Sequence, residues 1–252
     1  MDILLVDHFA GWSRLTLNRP EATNALTTEL LSAVAATLDW LAANQSCHAV
    51  LICGAGGNFA AGADINEIEV KTRDQAIHDP RNMSWSAIRA FPKPLIAAVD
   101  GFALGGGLEL ALMADLLVVG GTARLGLPEG NLGLIPGAGG GQRLMSRIGP
   151  ARAARMVLTG EIIDAAQAEA WGLCAYRVAG SAVDEGETLA ARLAARAPLA
   201  LNAAKRALVN GAEARLAFKD ERAGFEALLD SADKAEGIRA FRERRKPEFK
   251  GQ

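Results

Sequence analysis

Two glycine-rich stretches in the middle of the chain each carry one glutamate, and together they restrict the folds open to it. The first reads Gly101-Phe-Ala-Leu-Gly-Gly-Gly-Leu-Glu109. The second reads Gly126-Leu-Pro-Glu129-Gly-Asn-Leu-Gly-Leu-Ile-Pro-Gly137-Ala-Gly-Gly. Both acids lie in long apolar surroundings, where a carboxylate is costly unless it is partnered or used. Clustered glycine implies close backbone approach, to a ligand or between elements. Two such acids form a candidate pair for acid and base work on one substrate.

The strand and helix pattern around them is mixed. Residues 2–7 and 12–17 read as a hairpin or two neighbouring strands, and 48–53, 94–99, 115–119, 124–127 and 174–178 as further strands. Thr27 caps a predicted helix running to Leu41, with apolar residues at Leu30, Leu31, Val34, Leu38 and Leu41. Other expected helices are 65–68, 74–89 with Pro80 interrupting, and 106–113. Beyond the second glycine loop they are 139–147, 151–158, 164–170, 182–196, 199–209, 214–229 and 232–245. Strands alternate with helices up to Arg196-Ala-Pro198, and the rest is all helical. The expected division is therefore a mixed core over 1–195 and a helical region over 196–252, which packs on the core or on another subunit. No sequence repeat occurs at fixed spacing, although the turns of a folded coil need none to be alike.

Several function classes recede. With 27 Lys and Arg against 29 Asp and Glu, no positive field attracts a nucleic acid backbone. The basic stretch Arg239–Lys246 reads first as the wet face of a final helix. The apolar run 104–121 is interrupted by Glu109 and Asp115, so no membrane span is expected. The opening Met-Asp-Ile-Leu-Leu-Val-Asp-His has no basic leader, and three cysteines (Cys47, Cys53, Cys174) have no redox or metal spacing. A cytoplasmic location is the expectation. His8, His48 and His78 are dispersed, so no metal site is expected. Gly105, Gly106 and Gly107 are contiguous and poorly match a dinucleotide fingerprint; no nucleophile elbow or Walker sequence is present. Trp12, Trp40, Trp85 and Trp171 read as packing residues.

Each candidate group has a plain alternative. First-turn amides of a helix point outward without an internal partner and can meet a developing oxyanion. The Gly106 amide is one such donor and Ala63, between Gly62 and a short helix, a second; the same glycines would equally serve tight packing. Glu109 falls in the first turn of its helix, where it could simply be a capping acid, and Glu129 could be a surface loop acid. Asp64, Glu67 and Asp164 read first as helix starts. Asp115 reads as a loop anchor.

Set in order, these motifs resemble the enoyl-CoA hydratase/isomerase family, the crotonase superfamily, over nearly the whole chain. The resemblance is carried by Leu17-Asn-Arg-Pro-Glu-Ala-Thr-Asn-Ala-Leu26, Ala60-Ala-Gly-Ala-Asp-Ile65, Lys93-Pro-Leu-Ile-Ala-Ala-Val-Asp-Gly101, Ala103-Leu-Gly-Gly-Gly-Leu-Glu109, Pro136-Gly-Ala-Gly-Gly, Gln142-Arg-Leu, Leu158-Thr-Gly160 and Phe241–Lys250. It implies an α/β fold, a coil of repeated ββα units with a C-terminal helical region for trimerisation, two trimers stacking into a hexamer. The implied substrate is an acyl thioester of coenzyme A, with no further cofactor. Ala63 and Gly106 match the oxyanion-hole residues, Glu109 and Glu129 the catalytic acids, and Gly137 a glycine whose amide helps position water. The coenzyme A site would be lined by Arg19, Glu21, Ala22, Ala25, Ala61, Asp64 and Ile65. Asp100 stands where asparagine is common and Gly141 where threonine is common.

Keeping both acids points to hydration of a trans-2-enoyl thioester. Related isomerases commonly manage with the later acid alone, so a Δ3,Δ2-enoyl-CoA isomerase is the alternative, and an acyl-CoA- or RNA-binding scaffold the non-enzyme one. The pattern is most similar to the hydratases linked to phenylacetate degradation, which act on 2,3-dehydroadipyl-CoA; a short-chain fatty enoyl-CoA is the second expectation. Residues 69–89 would shape the acyl pocket, with Asn82, Trp85 and Arg89 as candidates. Arg89 is considered there for a terminal carboxylate, with a surface position as its equal alternative.

Overall fold

The buried strands follow from an alternation that serves both faces of one sheet. In Ala49–Gly54 (β3), Val50 and Ile52 join one apolar cluster, while Ala49, Leu51 and Cys53 join another on the opposite face. In Leu95–Val99 (β4), Leu95, Ala97 and Val99 face the first cluster and Ile96 and Ala98 the second. A sheet covered on both faces must be apolar throughout, which is why these strands read as continuous apolar runs.

The computed structural model describes residues 2–69, 75–76, 78–210, 232–233, 236, 240 and 243–252. The elements are, in order, β1 (Leu4–Phe9), β2 (Trp12–Leu17), α1 (Thr28–Ala43), β3, α2 (Ile65–Glu69), α3 (Arg81–Arg89), β4, β5 (Phe102–Leu104) and α4 (Gly106–Ala111). They continue with β6 (Leu116–Val119), β7 (Arg124–Gly126), α5 (Gly140–Ile148), α6 (Pro150–Thr159), β8 (Ile162–Asp164), α7 (Ala165–Trp171), β9 (Tyr176–Arg177), α8 (Ala182–Ala194) and α9 (Pro198–Asn210). Among the described residues no helix is long and apolar enough to cross a membrane.

The large sheet has the order β1-β2-β3-β4-β6-β9; β1 and β2 are antiparallel and the other pairs parallel. A small sheet has the order β5-β7-β8. The chain winds as a coil. After β4 it bends at Asp100-Gly101 into β5, and after β6 it bends again into β7. Successive turns stack, with Ile96 opposite Leu116 in the large sheet and Phe102 opposite Arg124 in the small one. These are the turns that the sequence expectation of repeated ββα units requires.

Helix α1 begins where Thr27 accepts a hydrogen bond from the Leu30 amide, a cap worth about 1 kcal/mol. Its buried stripe, Leu30, Leu31, Val34, Ala35, Leu38 and Leu41, packs into the larger core. Helix α8 covers the opposite face of the large sheet. A Cβ on its Gly186 would lie 2.8 Å from Leu51 Cδ1, so glycine permits this close packing. Helix α9 is tied to the core by Lys205, whose Nζ meets Asp115 at 2.8 Å and the Lys93 carbonyl at 2.8 Å. Asp115 also accepts from the Leu95 amide at 2.8 Å, the loop-anchoring role its position suggests.

Several expectations change. The helix expected over 74–89 is α3, starting at Arg81 with Pro80 at its N-cap; Asp74 lies outside the described residues. Strands β5 and β8 were not expected. Each is three residues long and exists through pairing with neighbouring strands rather than through its own propensity. Trp40 is 55% exposed, not packed, because it faces outward on α1 beside His8. The helices expected over 214–229 and most of 232–245 lie outside the described residues. In the basic stretch, Arg245 pairs with Glu236 and Glu243.

Candidate active site

Three neighbouring chain segments run parallel and end on the same side. Strands β5 and β7 pair in parallel, and Ala60 forms a parallel bridge to Ala103 on the other edge of β5. The bonds from Leu104 N to Ala60 O (3.0 Å) and from Gly105 N to Gly126 O (2.9 Å) hold the three ends level. The residues just past these ends therefore meet: Ala63 after the first, Gly106 after β5 and Glu129 after β7.

The two candidate amides are brought together in this way. A Cβ on Gly106 would lie 3.5 Å from the Ala63 nitrogen. Leu26 donates to the Gly62 carbonyl (2.8 Å) and accepts from the Asp64 amide (3.0 Å), which turns the Ala63 N–H away from Leu26. Among the described residues neither the Ala63 nor the Gly106 N–H donates a hydrogen bond. Gly107 makes the approach possible, because a Cβ there would sit 2.1 Å from the Ala60 carbonyl oxygen.

The acids are held differently. Glu109, in the first turn of α4, is buried, and its Oε1 accepts from the Ala138 amide at 2.7 Å and the Gly140 amide at 2.8 Å. Glu129 opens a short 3-10 turn, Glu129–Leu132, and its Oε2 is sealed from solvent with no hydrogen-bond partner among the described residues. Burial pushes the Glu129 carboxyl above its ordinary range; one backbone hydrogen bond opposes this and the neighbouring Glu109 charge adds to it. The environments of the two acids are thus unequal, one carboxyl held by two amides of α5 and its approach, the other with one oxygen sealed and without a partner among the described residues.

Sequence reasoning missed the amides that grip Glu109. Ala138 and Gly140 stand at the start of α5, and the signal was present: a glycine run directly before a helix offers unpaired first-turn N–H groups. Arg143 was also missed. Its Nη1 donates to the Ala138 carbonyl at 2.7 Å, and burial followed by the nearby Arg89 charge lowers its pKa.

A cavity of about 600 Å³ gathers these parts. Glu109, Glu129, Ala63, Gly106 and Gly137 all line it, with Ala61 and Ile65 from the expected coenzyme A set. Arg19, Glu21, Ala22, Ala25 and Asp64 stand outside its wall, in and against the neighbouring 19–25 loop. That loop is fastened to the 61–64 segment. Ala61 N donates to Thr23 O at 3.0 Å, and Arg19 meets the Ala25 carbonyl (2.5 Å) and Asp64 (3.1 Å). Burial acts upward on Asp64, but the Arg19 and Asn66 donors outweigh it and hold the carboxyl below its usual range. Asp64 also accepts from the Asn66 amide, and Asp164 from the Gln167 amide, so both start helices as expected. Glu67 instead accepts from Thr28 at the start of α1.

Of the residues expected to shape an acyl pocket, Asn82 and Trp85 line the cavity but Arg89 does not; it is exposed at the end of α3. The arginine in the wall is Arg81, one helical turn before Trp85 and buried with Ser84 and Ile88.

The chain matches the family described as Enoyl-CoA hydratase/isomerase over residues 9–252. It is 45% identical over 240 residues, 94% of each chain, to the 2,3-dehydroadipyl-CoA hydratase of Escherichia coli (strain K12). Among solved structures it is similar to an enoyl-CoA hydratase from Bacillus anthracis, with TM-score 0.94, 33% identity and 100% of each chain covered. It is likewise similar to one from Mycobacterium tuberculosis H37Rv, with TM-score 0.91, 34% identity and 99% of each chain covered.

Proposed function

Since the chain belongs to the enoyl-CoA hydratase/isomerase family, we propose that it adds water across the trans-2 double bond of an enoyl-CoA thioester, giving a 3-hydroxyacyl-CoA. One observation carries this reading: two undonated amides and two acids in unequal surroundings border a single cavity. The thioester oxygen is placed against the Ala63 and Gly106 N–H groups. Charge builds on that oxygen as water attacks C3, and fixed donors stabilise it without reorganising.

The acids then divide the proton work. Amides occupy Oε1 of Glu109, and Oε2 makes no hydrogen bond among the described residues. Glu109 takes one proton from water while the hydroxyl oxygen bonds to C3. Glu129, whose carboxyl is pushed up, delivers a proton to C2 and helps hold the water. The Gly137 amide assists in placing that water. One proton has passed to Glu109 and one has left Glu129, so exchange between the pair, directly or through solvent, restores the starting state. No cofactor is needed beyond the coenzyme A carried by the substrate.

The favoured acyl chain is 2,3-dehydroadipyl, supported by the 45% identical relative, with a short-chain enoyl-CoA second. The same reading gives the 19–25 loop and the 61–65 segment to coenzyme A, the mixed core to 1–195, and trimer or hexamer assembly to 196–252 in the cytoplasm. Exposed apolar residues on α9, such as Leu208 at 81%, support assembly there.

Turnover is tested by loss of the conjugated thioester absorbance with crotonyl-CoA and 2,3-dehydroadipyl-CoA. Absence of turnover on both, by a folded oligomer, sinks the hydratase reading. Conversion of a 3-enoyl-CoA without incorporation of labelled water would favour the isomerase instead.

A further inference from the structure

We propose that Arg81 is the receptor for a terminal carboxylate on the acyl chain, which makes the cavity selective for dicarboxylic enoyl thioesters. The inference rests on the proposed acyl-CoA site and adds its specificity-determining residue.

Arg81 opens α3, borders the same cavity as Glu109 and Glu129, and is 9% exposed. One edge of its guanidinium is already fixed. Nε and Nη2 lie 3.0 and 2.9 Å from Asp79 Oδ2, and the Arg81 amide donates to Asp79 Oδ1 at 2.9 Å. The other edge is not. Nη1 forms only a long ion pair with Glu67 Oε2 at 3.9 Å, too far for a hydrogen bond. Glu67 is turned elsewhere, accepting from the Thr28 amide at 3.0 Å and the Thr28 hydroxyl at 2.6 Å.

A guanidinium carries five N–H groups in a planar fork. Asp79 uses the Nε side, and the Nη1 side makes no hydrogen bond among the described residues. Much of the cavity wall is apolar, with Leu31, Ile68, Trp85 and Leu132, so the arginine is a distinctive polar group for an acyl chain to meet there. The chemistry that fits a planar pair of donors is a carboxylate. Asp79 does not compete for the role, because its pairing orients the guanidinium and leaves the opposite edge for the ligand. In 2,3-dehydroadipyl-CoA the carboxylate follows two methylenes beyond the reacting double bond, so it projects away from the acid pair into the acyl side of the cavity.

The test compares binding of saturated adipyl-CoA and hexanoyl-CoA by titration calorimetry, in wild type, Arg81→Met and Arg81→Lys. Saturated thioesters report the subsite whether or not hydration occurs. Wild type should prefer adipyl-CoA by roughly 10- to 100-fold, the range for hydrogen bonds to a charged group. Arg81→Met should lose that preference, and Arg81→Lys should recover part of it. A ratio of the two affinities within one preparation cancels any misfolded fraction. A wild type that binds the two thioesters equally, or an Arg81→Met that keeps the preference, overturns the assignment. Turnover of crotonyl-CoA and 2,3-dehydroadipyl-CoA, measured alongside, tests the hydratase reading separately: activity without adipyl preference refutes only the Arg81 role, and adipyl preference without activity on either refutes only hydration.

Discussion

Gly140→Ala tests whether the amides of α5 set the position of Glu109. Gly140 does not have a left-handed backbone, so alanine is allowed by conformation and only space decides the outcome. The added Cβ would lie 2.8 Å from Glu109 Cγ, 3.1 Å from Glu109 Oε1 and 3.1 Å from Leu127 Cδ1. Carbon contacts settle near ~3.5–4.0 Å, so Glu109 or the start of α5 must give way by roughly 0.7–1.2 Å. Misplacement by about 1 Å of a group that must meet a reacting water costs about 10²-fold in rate. The expected loss in kcat is therefore about 30- to 100-fold on crotonyl-CoA, with a stability cost of about 1–2 kcal/mol for overpacking. Gly141→Ala is the control. A Cβ there meets nothing within 4 Å, so turnover should hold, and helix propensity should add up to about 1 kcal/mol. Initial rates and thermal melts on both variants decide the matter. Gly140→Ala with wild-type kcat, or an equal loss in Gly141→Ala, would falsify the claim that this contact positions the acid.

Glu129→Gln should lower kcat by about 10²–10⁴ while raising stability at neutral pH by about 1 kcal/mol, because folding at that pH no longer has to bury a carboxylate or take up a proton. For a chain of this size that is a rise in Tm of about 2–4 °C. The folded pKa of Glu129 is raised, so its contribution to stability is full below the ordinary carboxyl value and is lost as pH rises through the folded one. The gain from the substitution should therefore shrink as the melt is taken to acid pH, and a gain independent of pH refutes the reasoning. Glu109→Gln should cost a similar factor in kcat with little change in Tm, since the Gln carbonyl still accepts from Ala138 and Gly140; circular dichroism melts check this. Arg143→Met should reduce kcat about tenfold with a nearly unchanged KM by loosening Ala138, and Arg143→Lys should restore part of it.

Local chemistry made much of the fold legible. Thr27 and Asp164 announced their helices because their side chains satisfy nearby amides within the same few residues. The strands β3 and β4 were readable because burial on both faces demands unbroken apolar sequence. Strands β5 and β8 were hidden, because three-residue strands are stabilised by pairing across the coil. Arg89 and Arg81 show the same limit on a helix. Both are arginines of one segment, and only the angular position of each around α3 decides which one meets the cavity.

The sequence by itself determined the ingredients: two acids placed where charge is expensive, and glycines that let backbone amides come close. The coil that separates the two acids by one turn entered only through the family resemblance, since the strand before Glu109 was not legible. Only the tertiary structure decided that the turns stack with β5 beside β7, so that Ala63, Gly106 and Glu129 emerge at one edge. It alone assigned the Ala138 and Gly140 amides to Glu109 and left Glu129 Oε2 without a partner. Hydrogen bonds between strands distant in sequence set that register, and the register, rather than any local preference, made two similar carboxyl groups chemically unequal.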